Sequence, residues 1–190
     1  MLRRPWRLGL MFVVCLATLA VGWPRVRLLT YATRYGRARK LHMPVAGLAP
    51  SQTRSTWHAP RSGHRRHEGI DLFAARGTPV LSATKGEVWR VGNDSLGGRV
   101  VTVLGEGRSL YYYAHLDDWA DGLMKGQRVE RGMVLGTVGN TGNARTTPPH
   151  LHFGVYRLGL FRNRAVDPAP LLAKSTVSLL HSPLRHAARP

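Results

Sequence analysis

The chain has 190 residues, 43% of them hydrophobic and 20% charged, a globular composition that argues against wholesale disorder and against a multi-span membrane protein. One cysteine excludes an intrachain disulfide and a cysteine-based zinc finger. The net charge is +18 and unevenly spread: residues 1–67 hold 13 of the 28 Lys/Arg and none of the 10 acids, which leaves 15 basic and 10 acidic groups for residues 68–190.

Met1 to Arg7 is a positive leader, and Leu8 to Trp23 is an apolar run broken only by Thr18. As a helix this run is about 24 Å long, between a signal-peptide core and the roughly 30 Å needed to span a bilayer. Residues 1–24 therefore read as a signal peptide or a signal-anchor helix. Either one exports the rest of the chain to a periplasmic or other extracytoplasmic location, with or without an inner-membrane anchor over 8–23. Cys15 follows Val14 rather than a small residue, which argues against a lipoprotein cleavage site. Residues 25–56 read as a basic linker. Tyr31 and Tyr35, four apart, suit a short amphipathic helix on a membrane surface as well as a solvated segment. So much positive charge suits an anionic partner, and its place beside the apolar run favours lipid head groups or a wall polymer over nucleic acid.

The texture changes at Gly69. Strand-like runs follow at 79–83, 86–91, 99–104, 110–114, 134–138 and 151–156, separated by Gly, Asn and Asp. With 21 Gly and 12 Pro, this spacing predicts an all-β domain over 57–170: a compact antiparallel sheet, barrel-like, behind the N-terminal apolar helix. Residues 171–190 read as a C-terminal tail with a short helix.

Three patterns carry chemistry. His150-Leu151-His152 opens a strand-like run, so alternation puts both imidazoles on one face, their Cα atoms about 7 Å apart. They can meet one metal, or one can bind it while the other addresses a coordinated water. Nine histidines produce roughly 0.4 such pairs by chance, so this pattern alone is weak. His67-Glu-Gly-Ile-Asp71 is stronger, with a chance expectation of about 0.03. Its even offset puts an imidazole and a carboxylate on one face, and Gly69 permits backbone that other residues resist. Two His and one Asp suit zinc and leave a fourth position for water. Tyr113-Ala114-His115-Leu116 ends a run, with Tyr113 and His115 expected on one face, where a phenol and an imidazole can serve an oxyanion or move protons. Taken singly, each pattern has a plain structural explanation: a satisfied polar histidine, a turn aspartate, packed tyrosines. Three sparse patterns at strand edges in one modest chain point to a site.

The three patterns in this order, with Gly77-Thr-Pro-Val80, Gly132-Met-Val-Leu-Gly136 and Gly139-Asn-Thr-Gly142 between and around them, resemble the M23 (LytM or lysostaphin-like) zinc metallopeptidases over residues 57–170. The resemblance implies one zinc per chain held by His67, Asp71 and His152, with His115 and His150 as catalytic histidines. His64, three residues before His67, has no place in the motif. The implied activity is endopeptidase cleavage of peptidoglycan stem-peptide cross-links or bridges. The alternative is a LytM-type binding module that regulates another cell-wall hydrolase through a protein partner. The full set of five residues argues against it.

Overall fold

A computed structural model describes residues 40–175 except 62 and 160. The apolar helix expected over 8–23, residues 25–39 of the basic linker and the end of the tail lie outside the described residues. Among the described residues no helix is long and apolar enough to cross a membrane.

Nine strands are described: β1 (Ile70–Phe73), β2 (Pro79–Leu81), β3 (Gly86–Asp94), β4 (Gly98–Gly105), β5 (Ser109–Trp119), β6 (Arg128–Val129), β7 (Val134–Val138), β8 (His150–Arg157) and β9 (Arg164–Val166). A four-residue helix, α1 (Ala169–Leu172), follows and buries Leu172. All strand pairings are antiparallel, and the main path runs β1-β8-β5-β4-β3-β6. Residues 109–114 of β5 pair with β8, and its far end, at Leu116 and Trp119, turns to β7. β7 in turn pairs with β2.

The antiparallel sheet is as expected, but it does not close into the barrel-like form anticipated above. The end strands of the path, β1 and β6, do not pair with each other, and closure requires the ends to meet. Short, evenly spaced strands specify neighbours, not whether the last one finds the first.

One face of the sheet is packed and the other is open. Ile70, Leu72, Tyr111, Tyr113, Leu151 and Phe153 are buried side chains of the packed face. Their neighbours at 71, 112, 150, 152 and 156 face a groove. β8 shows the alternation plainly, Leu151 and Phe153 inward and His150, His152 and Tyr156 outward, the period of two that a half-buried strand requires.

The packed face also takes in residues 41–45. Leu41, Met43 and Val45 are each about 1% exposed. The stretch is tied to β2 and its flank by His42 N–H to the Ala83 carbonyl (2.8 Å), Leu81 N–H to the Pro44 carbonyl (2.9 Å) and a Val45–Val80 bridge. Burying such side chains stabilises by about 1.5–3 kcal/mol each. Three of them weigh heavily against a typical net stability of about 5–15 kcal/mol. This end of the stretch read as linker is part of the domain core.

Candidate metal centre and catalytic groove

The β1–β8 register sets the first part of the site. Asp71 sits directly opposite His152, and Phe73 opposite His150. A cross-strand pair on one face brings side chains within about 5 Å, so Asp71 and His152 meet without help from any loop. His67 approaches from the chain just ahead of β1. Its Nε2 lies 2.8 Å from His152 Nδ1 and 3.1 Å from Asp71 Oδ1, and His152 Nδ1 lies 3.2 Å from Asp71 Oδ1. All three groups offer ligand atoms within 4.8 Å of one another.

The hydrogen-bond partners of His67 assign its tautomer. A carbonyl only accepts, so the 2.8 Å contact from His67 Nδ1 to the Thr56 carbonyl requires the proton on Nδ1. Nε2 is then a bare lone pair aimed at His152 and Asp71, as a ligating imidazole with a supporting backbone acceptor would be. Two imidazole nitrogens and a carboxylate oxygen in mutual contact fit a cation better than they fit one another. A tetrahedral zinc centre with bonds near 2.0–2.1 Å has ligand–ligand edges of about 3.3–3.4 Å, and the observed separations are close to this. Donor set and spacing thus fit a metal ion.

Electrostatics point the same way. Burial alone would raise the Asp71 carboxyl, but its contacts with His152, His67 and Arg61 outweigh it and hold the group well below the usual carboxylate range. Arg61 pairs with Oδ2, the oxygen turned away from the histidines. Burial pushes the His152 imidazole down despite the Asp71 contact, which favours the neutral form that binds metal.

Gly69 has a steric role. A Cβ there would lie 2.7 Å from both His152 Cε1 and the Phe153 carbonyl. The motif's glycine makes room for the ligand ring; its φ lies outside the left-handed region, so close approach rather than backbone freedom is what requires glycine here.

His115 and His150 complete the groove floor. Their ring centroids are 5.0 Å apart, and His115 is 5.9 Å from His152. Each is anchored by Nδ1 donating to a carbonyl, His115 to Thr141 (2.8 Å) and His150 to Pro148 (2.9 Å). Each Nε2 is left to accept a proton, and that of His150 lies 3.9 Å from Asp71 Oδ1. Burial, reinforced by His150 and His152, pushes His115 down to about 4. His115 also has φ +63°, a left-handed value uncommon for a side-chain-bearing residue and found at functional sites.

That backbone explains a correction. Tyr113 and His115 do not share a face. Tyr113 is fully buried, and its hydroxyl accepts the Ala83 N–H at 2.8 Å, so it is no oxyanion donor. The left-handed residue breaks the alternation, and Ala114 and His115, consecutive in sequence, both line the groove. The tyrosines that do line it are Tyr112 and Tyr156. Tyr112 donates to Asp94 Oδ2 at 2.7 Å and stands edge-on to His152 at 6.0 Å. Tyr156 was legible as the fourth residue past His152 on the same face; Tyr112 was hidden by the wrong phase. His64 is exposed, outside the metal-ligand group and the groove lining. The groove has a volume of about 710 Å³, within the range of pockets that take small ligands or short peptides.

An open antiparallel sheet bearing His, Asp and His ligands, with two further histidines beside them, defines a mononuclear metal-site hydrolase framework. The family model for peptidase family M23 matches residues 65–168, and the chain belongs to that family. It is 40% identical over 126 residues to the L-Ala–D-Glu endopeptidase of Bacillus subtilis, a match covering 63% of this chain and 39% of that protein. It is 34% identical over 108 residues to glycyl-glycine endopeptidase ALE-1 of Staphylococcus capitis, covering 56% and 29%. Among solved structures, the catalytic domain of lysostaphin from Staphylococcus simulans aligns with a TM-score of 0.55 at 25% identity, over 65% of this chain and 94% of that one. The match spans well under half the length of the two curated relatives.

Proposed function

We propose that the chain is a zinc-dependent endopeptidase acting on peptidoglycan peptides, outside the cytoplasm. His67, Asp71 and His152 hold the zinc, and His115 and His150 carry the protons. The observation that carries this reading is the convergence of the three ligand atoms beside two histidines whose Nε2 atoms are left as acceptors. When bound, zinc supplies Lewis-acid chemistry, activating a water at neutral pH and polarising the scissile carbonyl.

The chain's own groups do the rest. Asp71 and the backbone carbonyl of Thr56 orient the ligand rings. His115, kept neutral by burial at ordinary pH, and His150 offer Nε2 atoms that can take the proton of the attacking water. The protonated imidazole can then return it to the leaving amine nitrogen. The family and the names of the relatives support peptidoglycan as the substrate. They also support two different bonds, L-Ala–D-Glu and Gly–Gly, so the bond is to be read from products. A signal or anchor over 1–24, a peptidase domain over 57–170 to which the buried stretch 41–45 and Leu172 are added, and attachment to a membrane through 8–23 complete the reading.

The test is digestion of purified sacculi by the full chain, with and without a zinc chelator, and mass spectrometry of the soluble fragments. Chelator-sensitive release of cross-link or bridge fragments is expected. Intact sacculi alongside bound zinc would overturn the reading in favour of a module that regulates another hydrolase.

A further inference from the structure

Ahead of His67 the chain forms a hairpin for which the reaction above has no use. Backbone bonds join His58 N–H to the His67 carbonyl (2.9 Å), His67 N–H to Ala59 (3.0 Å) and Arg61 N–H to Arg65 (3.0 Å), and Pro60 bridges Arg66. The tip turns through two left-handed residues, Gly63 (φ 71°) and His64 (φ 58°). This ladder brings Arg61, Arg65 and Arg66 to the groove, which all three line while remaining exposed. They are the last members of the acid-free basic stretch that ends at Glu68.

The three arginines are not equivalent. Arg61 is engaged by Asp71. Arg66 gives one donor to the His58 carbonyl at 3.2 Å, which steadies a guanidinium that has five. Arg65 and Arg66 directly precede the ligand His67 and line the same groove as the three ligand residues. Among the described residues that line the groove, those around Ser95, Leu96, Gly97 and Asn143 include no Lys or Arg. The acid beside them, Asp94, is turned onto Tyr112 and the Leu96 and Gly97 amides. Glu68 lies close enough to Tyr156 to help burial push that phenol up to about 12. Among the described residues that line the groove, arginine charge therefore comes from the hairpin alone; Arg90, outside the lining, stands 3.8 Å from Asp94.

We propose that Arg65 and Arg66 form an anion subsite that selects peptides with a free carboxylate close to the bond placed at the metal centre; this rests on the reading of the groove as a peptide-binding one. A guanidinium fork matches a planar carboxylate with two parallel hydrogen bonds, which gives orientation as well as attraction. An amide at the same position presents N–H groups to a donor-only surface and forfeits the charge.

The probes are two synthetic stem tetrapeptides, both closed by a C-terminal amide. They differ only in the glutamyl α-carboxylate, free in one and amidated in the other. Binding is measured to the full chain stripped of metal by a chelator, so that no turnover is required. The free acid should bind about 10–100-fold more tightly, the range of a charge-assisted hydrogen bond, and the preference should shrink as salt rises. R65A/R66A should bring the two peptides together, and R65K/R66K should restore part of the difference, since charge remains and the fork does not. Equal binding of the two peptides, or binding of neither, overturns the subsite. Hydrolysis by the zinc-loaded chain is scored separately. A carboxylate preference without cleavage would leave the subsite standing and remove the endopeptidase reading.

Discussion

The ionisable groups on the groove floor fall into two sets that share an anchoring device and differ in what they face. His67, His115 and His150 each donate Nδ1–H to a backbone carbonyl. In the first set, His67, Asp71 and His152, the ligand atoms stand 2.8–3.2 Å apart. In the second, His115 and His150, ring centroids are 5.0 Å apart, and His150 stays 3.9 Å from the carboxylate. The tautomer is therefore not what separates a ligand from a proton carrier. The separation comes from strand register: Asp71 opposite His152 makes a contact, whereas the residue opposite His150 is Phe73, whose ring packs 5.0 Å away.

The difference breaks most completely at the first set. Asp71→Ala or His152→Ala should lower zinc affinity by more than about 100-fold, beyond what loss of a mere supporting contact costs, and abolish chelator-sensitive cleavage. Metal analysis after dialysis checks the first effect and fragment release the second. Next, His150→Ala and His115→Ala should keep zinc yet lower kcat by about 10²–10⁴-fold. A variant that loses both zinc and turnover would merge the two sets.

A smaller effect sharpens the contrast through pH. In the metal-free chain His115 titrates at about 4 against 6.5 when exposed, so between these values the unfolded chain binds the extra proton. Stability is then full above about pH 6.5 and falls as pH drops toward 4, by about 3 kcal/mol. His115→Gln should remove that slope, as read by denaturant unfolding at several pH values. Smallest is Thr56→Ala. It loses the 3.1 Å bond from Asp71 N–H to Thr56 Oγ1 and about 0.5–1.5 kcal/mol. The His67 anchor is a main-chain carbonyl that alanine retains, so zinc affinity should hold while Tm falls.

Much of this site was readable from spacing, because period two places side chains wherever a strand is regular. His150, His152 and Asp71 obey it. Tyr113 does not, since the left-handed backbone at His115 shifts the phase, and no residue type in Tyr-Ala-His-Leu announces that. The open sheet went unread because strand spacing carries no information on whether β1 reaches β6. Arg61 was missed as a neighbour of Asp71 because an ion pair ten residues apart depends on the hairpin between them. Leu41-His42-Met43-Pro44-Val45 did carry a signal, an apolar residue at every second position. It was short, held a proline and stood next to a strongly basic stretch.

That buried stretch also limits how this polypeptide can be matured. Trimming from the amino end that stops at about Lys40 leaves Leu41, Met43 and Val45 in place. A cut beyond Val45 would withdraw three side chains from under β2 and leave a water-accessible slot behind the groove. The fold itself thus defines the shortest mature form that keeps its interior intact, and any shorter fragment prepared for an assay would report on a damaged protein.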